Sequence, residues 1–363
     1  MSFGHVRQFD AVASRLLLGL ARQTPVLAGA DQVTYLDVDD TIRQTHGYAK
    51  QGAGYGYSGV KGLNALVATL STPLAAPVIA ATRLRKGSTN SAKGASRLIG
   101  DALATARAAG AGTKPGAMIT LRADSAFYNH KVVAAAGRGG AQFSITARQD
   151  PAVRRAITAI SDTGWTSIEY PQAIWEEAEQ RWMSDAEVAE ITFTAFTSRP
   201  KAEQVSARLI VRRVNRLNPA SVPAGQGKLF AQHRHHAVST NSDLSMLAAE
   251  TAHRDHAIIE QVMAELKNGP LAHLPSAKFT ANATWLVCAA MAFNLTRAAG
   301  SLAGTFHAKA RAATIRDHLI KVPARIASSA RRQRLHLPEH WPWEQAFDQL
   351  FTATLGPPGP TAT

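Results

Sequence analysis

The period of apolar and polar positions changes along the chain, and each change marks an element. Val6 to Arg22 carries apolar residues at helical spacing and predicts a helix leading into the first strand. Gln32 to Thr41, with β-formers at Tyr35, Leu36 and Val38, predicts a strand that ends in a cluster of carboxylates. Strand-like runs recur at Leu63–Leu70, Val78–Leu84, Ala117–Leu121 and Gln142–Thr146, with helical stretches at Ala92–Ala109 and Asn129–Ala136 between the later ones. Three strands, then helix, strand, helix, strand, is the order of a mixed α/β fold.

Beyond residue 150 the texture becomes β-rich, with runs at Val188–Phe196 and Ala207–Val214 and tryptophans at 165, 175 and 182 whose strand spacing predicts core positions. Residues 151–240 are therefore expected to form a mostly β insertion. The run Gln232-His233-Arg234-His235-His236 has no accompanying cysteine and is too tight for a zinc ligand set, which predicts a solvated or phosphate-facing turn. One helix is then predicted from Asp243 or Ser245 to Lys267, ended by Asn268-Gly269-Pro270. At about 100° per residue it gathers His253, His256, Glu260 and Lys267 on one stripe, opposite Ile258, Ile259, Val262 and Leu266. Phe279–Leu295 is apolar, but Thr280, Asn282, Thr284 and Asn294 keep it short of a span of ~20 apolar residues, so a buried helix is expected. Glycines and tyrosines between Gly47 and Gly62 precede a strand rather than a helix, which predicts a hairpin loop in close contact with a ligand or backbone, not a phosphate-cradling loop.

The single cysteine, Cys288, lies in an apolar run, excludes an internal disulfide, and is expected to be plain core in a cytoplasmic protein. A net charge of +14 favours a polyanionic partner, nucleic acid ahead of an anionic membrane. Nine basic residues against one acidic between Thr296 and Leu335, among them Arg331, Arg332 and Arg334, put +8 of that charge in one stretch. The expected organisation is a helical leader (1–30), a first part of the core (31–150), the insertion (151–240), the C-terminal helices of the core (241–300) and a basic helical tail with a disordered end (301–363).

Alternation points Asp37 and Asp39 the same way and Asp40 the other. Asp124 ends a later strand, in Arg122-Ala123-Asp124-Ser125-Ala126-Phe127-Tyr128, and Glu260 lies on the helix after the insertion. Converging carboxylates repel unless cations relieve them. A pair of Mg²⁺ ions about 4 Å apart would do so, and phosphodiester chemistry follows.

At these residues the chain resembles the DDE transposases, and more closely the IS1380 insertion-sequence family within the IS4-like group. The segment Asp39-Asp40-Thr41, the Asp124 motif, the helix around Glu260, and Phe279-Thr280-Ala281-Asn282-Ala283-Thr284-Trp285-Leu286 with Phe293-Asn294-Leu295 carry the likeness. Glu260 and Lys267 keep the end of that group's Tyr-x2-Arg-x3-Glu-x6-Lys signature, while His253 and His256 stand where tyrosine and arginine are expected. The resemblance implies an RNase H-like mixed sheet flanked by helices, with a mostly β insertion before the last catalytic helix. It implies strand cleavage and strand transfer at transposon ends, with Asp39, Asp124 and Glu260 as catalytic residues holding two Mg²⁺, or Mn²⁺ in their place. His253, His256, Lys267, Arg331, Arg332 and Arg334 are the expected DNA contacts, and a homodimer that synapses two ends is the expected assembly, bound to the nucleoid and not to a membrane. The family's N-terminal end-recognition segment is not seen before the first strand, so a truncated copy is also expected. Two rivals remain at this point: a haloacid-dehalogenase-like phosphohydrolase using Asp37 and Asp39, from Asp37-x-Asp39-x-Thr41, and an inactive DNA-binding remnant.

Overall fold

The computed structural model describes residues 1–46, 50–176, 181–215, 233–329 and 332–356. It is a mixed α/β structure with a large sheet flanked by helices, the class that the RNase H-like expectation required. Two compact units divide it: residues 1–90, 101–119 and 258–363 form the first, residues 91–100 and 120–257 the second.

In the first unit, helix α1 (Phe3–Gln23) precedes strand β1 (Val33–Gln44), which pairs antiparallel with β3 (Lys61–Ser71) after the short β2 (Gly54–Tyr55). Strand β4 (Val78–Lys86) closes that side. Glycine is required where these turns meet, because a Cβ on Gly87 would fall on the carbonyl oxygens of Gly62 and Gly54. The close contact expected of the Gly/Tyr segment is thus with backbone; Gly47, Tyr48 and Ala49 lie outside the described residues. Helix α2 (Ala95–Ala108) and strand β5 (Met118–Ala123) come next in the chain.

The second unit takes β5 in parallel with β6 (Gln142–Thr146) through helix α3 (His130–Arg138), a crossover that a parallel pair requires. After α4 (Pro151–Thr158), strands β7 (Thr166–Glu176), β8 (Arg181–Ala195), β9 (Val205–Asn215) and β10 (His233–Thr240) pair successively antiparallel, and β10 pairs with β6. The β-rich stretch therefore extends the β5–β6 ladder. Two expectations change here. His233 to His236 lie on a strand instead of in a turn, Gln232 being outside the described residues, because β9 supplies a continuous antiparallel partner. Trp175 is exposed and Trp165 half-buried under the Arg213 guanidinium, so strand spacing does not place either in the core.

The helix predicted from 243 to 267 is broken. Helix α5 (Met246–Arg254) ends in the 3-10 turn Asp255–Ala257, and α6 (Ile258–Lys267) starts afresh. Buried Arg122 donates from Nη1 to the Ala252 carbonyl (2.6 Å), taking an acceptor that a continuing helix would need.

Helix α7 (Phe279–Leu302) and α6 cover the β3 side of the first unit, where Leu63, Val67, Val262, Met263, Leu266, Leu286 and Phe293 form one core cluster. The polar residues of α7 are partnered: Asn294 accepts from the Ile79 N–H and donates to its carbonyl, both at 2.8 Å, beside the register shift in the β3–β4 ladder. Cys288 is half-buried, not core. No helix among the described residues is long and apolar enough to cross a membrane. The last part contains α8 (Thr305–Lys309), α9 (Ala312–Ile315), the hairpin of β11 (Arg325–Ser329) and β12 (Arg332–His336), and α10 (Glu344–Leu355). The basic tail is thus partly a β-ribbon, where helix was expected; residues 357–363, expected to be disordered, lie outside the described residues.

Candidate active site

Strand β1 sorts its three carboxylates by face. Asp40 shares a face with Asn64 of β3 and Arg85 of β4: Asn64 donates to its Oδ2 at 2.9 Å, and Arg85 ion-pairs with the same oxygen. Arg85 also donates from Nε to Asn64 Oδ1 (2.9 Å), and burial holds its guanidinium below the usual arginine range, opposed by Asp40. A carboxylate neutralised this way is structural.

Asp37 and Asp39 take the other face. Asp39 lies opposite Val67, which packs against Val262, Met263 and Leu266 of α6. The face of Asp39 is therefore the face that α6 covers. With Ile259, Val262, Met263 and Leu266 turned inward, Glu260 is exposed, and Lys267, almost two turns on, shares its side of α6. Asp37 has 0% exposure, whereas Asp39 is partly open, with Oδ1 accepting the Asp40 N–H at 2.7 Å. A nucleophilic Asp37 has no accessible surface from which to attack a phosphate, which counts against the phosphohydrolase reading.

Asp124, in the second unit, is exposed at the end of β5, where it caps the 3-10 turn Ser125–Phe127 by accepting the Ala126 N–H at 3.0 Å. The following Tyr128 is buried, and burial together with Asp150 pushes its hydroxyl up to about 12.

The histidine stripe does not survive the break between α5 and α6. His253 is tied to β6 through both ring nitrogens, Nδ1 to the Ser144 hydroxyl and Nε2 to that of Thr146, each at 2.9 Å. It braces the sheet where a phosphate contact was expected. His256 stacks on it at 6.3 Å between ring centroids, in the second unit, while Glu260 and Lys267 belong to the first. Of the expected tail contacts, Arg334 is exposed on β12 opposite Ala327, Arg332 occupies the register position opposite Ser329, and Arg331 lies outside the described residues.

Hard oxygen donors such as the carboxylates of Asp39, Asp124 and Glu260 suit Mg²⁺ or Mn²⁺. Among the described residues, no group of three or more His, Cys, Asp or Glu is placed to hold a metal ion as the side chains stand. Two buried polar assemblies carry no local signal in the chain, because each joins partners that are far apart in sequence. Glu265 and Arg297 form a buried pair between α6 and α7 (2.9 Å). Glu250 is 6% exposed between Arg212 and Arg254, and burial raises its carboxyl above the ordinary range against the pull of both arginines.

No curated protein matches this chain. The model of a family described as transposase DDE domain group 1 matches residues 23–355, a span that includes Asp39, Asp124 and Glu260. With nine-tenths of its length inside that match, the chain belongs to the DDE transposases, enzymes whose partner is DNA and whose chemistry generally uses divalent metal ions.

Proposed function

We propose that the protein cleaves DNA strands at the ends of an insertion sequence and joins them to a target, as a member of the IS1380 family, with Asp39, Asp124 and Glu260 as the catalytic carboxylates. The observation that carries this reading is the sorting of β1. Asp40 is neutralised by Arg85 and Asn64, while Asp39 stays accessible on the face covered by the helix that bears Glu260.

The three carboxylates would hold a pair of Mg²⁺ ions, which supply a nucleophile at neutral pH and stabilisation of the leaving 3′ oxygen. The chain's own residues position the rest. Burial of Val262, Met263 and Leu266 fixes the rotation of α6 and with it the direction of Glu260. The cap at Ala126 fixes the Asp124 side chain. Lys267, His256, and Arg331, Arg332 and Arg334 of the tail are the proposed phosphate contacts. A two-stranded ribbon such as β11–β12 has dimensions that a DNA major groove admits. A homodimer that synapses two ends completes the proposal.

The test is a cleavage and strand-transfer assay on duplex transposon ends with Mg²⁺. Asp39→Ala, Asp124→Ala and Glu260→Ala should each abolish product while leaving salt-sensitive DNA binding. Full cleavage by any one of them removes that residue from the set, and turnover of para-nitrophenyl phosphate that depends on Asp37 would restore the phosphohydrolase reading.

A further inference from the structure

The glycines of the hairpin between β1 and β3 meet backbone, and its tyrosines are left at the surface: Tyr55 is 66% exposed and Tyr57 110%. The tip that carries them is firmly seated. Gly87 donates its N–H to the Gly52 carbonyl (3.1 Å), and a Cβ on Gly56 would lie 2.6 Å from the Gly87 carbonyl oxygen. The Gly59 N–H closes a turn on the Gly56 carbonyl (3.1 Å), with Tyr57 at its second position. Below the tip, the Gln51 N–H reaches the Ala277 carbonyl (2.9 Å), Gln51 Oε1 accepts the Phe279 N–H (3.1 Å) and Lys50 Nζ donates to the Ser276 carbonyl (3.2 Å). Rings mounted on so constrained a backbone lose little freedom when a ligand covers them.

Charge says what that ligand is. Between Asp40 and Asp101 the chain carries eight lysines and arginines and no acidic residue. Lys61 stands opposite Tyr55 in the β2–β3 register, and exposed Lys86 ends β4 next to Gly87. The exposed side chains from Gly54 to Gly59 are Tyr55, Tyr57 and Ser58, none of them aliphatic. The tip therefore offers ring faces in a positive setting, not the continuous apolar patch that a protein partner buries. We propose that it is a stacking platform for unpaired bases of the DNA substrate, the Tyr55 and Tyr57 rings taking base faces while Lys61 and Lys86 meet the adjoining phosphates. Every base has a π face, so such a platform senses single-stranded character without reading sequence. It lies at the far end of the ladder that bears Asp39. Val67, opposite Asp39, is six residues from Lys61 along β3, a rise of about 20 Å that a stacked strand covers in about six nucleotides. The inference rests on DNA as the substrate and adds that part of it is unpaired when bound.

The experiment measures binding without chemistry, as the anisotropy of labelled DNA titrated with the full chain in EDTA. The probes are a blunt duplex and the same duplex with a single-stranded tail of about eight nucleotides. The wild type should bind the tailed probe at least roughly tenfold more tightly than the blunt one. Tyr55→Ala/Tyr57→Ala should erase that preference and leave the blunt-duplex affinity within about twofold; rings this exposed can be removed without loss of the fold. Tyr55→Phe/Tyr57→Phe should keep the preference, and Tyr55→Leu/Tyr57→Leu, apolar but without a π face, should lose it. Lys61→Gln/Lys86→Gln should lower the slope of log K against log salt on the tailed probe by about 1.4. A wild type that does not distinguish the probes, an alanine variant that loses equally on both, or a leucine variant that keeps the preference overturns the proposal. So does a changed sedimentation coefficient of the alanine variant without DNA, which would assign the tip to contact between copies. Failure of strand transfer by the wild type would leave the tail preference intact, so the two readings fail separately.

Discussion

Besides its apolar face, helix α6 is tied to α7 by a buried ion pair, and its removal should be expensive. Glu265 accepts from Arg297 Nη2 at 2.9 Å through Oε1 and from the Ala312 N–H at 2.9 Å through Oε2, while Arg297 also donates to the Ala310 carbonyl and lies over the Phe293 ring. Both side chains are under a tenth exposed, at 8% and 4%. Arg297→Met keeps the volume but leaves the Glu265 carboxylate buried without its cation, with only the Ala312 N–H and the more distant Gln261 amide (3.3 Å) as donors, a change that costs about 3–5 kcal/mol in comparable sites. In urea, at a slope of about 2–3 kcal/mol/M, the unfolding midpoint should fall by at least about 1 M. Glu265→Leu/Arg297→Met removes both charges and should recover a large part of that loss, giving a coupling of more than about 1 kcal/mol in the double-mutant cycle. Amide exchange at Ala312 supplies a local readout, because its N–H loses its acceptor in the double variant but not in Arg297→Met. A shift below about 0.3 M for Arg297→Met, or a double variant whose loss equals the sum of the singles, would refute the reasoning.

Acid sensitivity should come partly from His236, whose folded value of about 3 lies far below the unfolded imidazole range. Its stabilising effect is complete above pH 6.5 and drains away as pH falls toward 3, amounting to about 2 kcal/mol between pH 7 and 5; His236→Gln should flatten that limb in chemical denaturation. Asn294→Leu leaves both backbone groups of Ile79 without their side-chain partner and should lower stability by roughly 2–4 kcal/mol, read from the urea midpoint. Gly87→Ala forces a Cβ onto two carbonyl oxygens and should destabilise by more than about 2 kcal/mol, whereas Gly94→Ala, with nothing near, should cost only the strain of its positive φ. Lys267→Ala should weaken engagement of DNA ends before it slows cleavage, visible as a raised Kd at unchanged single-turnover rate.

Elements whose own residues carry a strong local pattern were legible without coordinates. The strand with Asp37, Asp39 and Asp40, the order of strands and helices to Thr146, and the buried helix from Phe279 all follow from period and from β- or helix-forming residues, which need no distant partner. Alternation also predicted correctly that Asp40 leaves the face of Asp39. The composition of the His233–His236 segment says turn, while its pairing with β9 says strand, and pairing is a tertiary fact. The break at Asp255 was invisible for the same reason, since the group that intercepts the Ala252 carbonyl comes from Arg122, 130 positions away in sequence.

Acidic side chains in β-forming and helical runs and a large excess of positive charge are local properties of the chain, so the candidates for phosphodiester chemistry were open to reading from it, although β1 runs on to Gln44 and leaves Asp39 within the strand and not at its end. Folding settles which carboxylate is neutralised by Arg85, which histidine braces a sheet instead of facing solvent, and which buried charges tie α6 to α7. Those choices depend on burial and on partners brought from far along the chain, and desolvation makes each polar group take whatever partner the packing supplies.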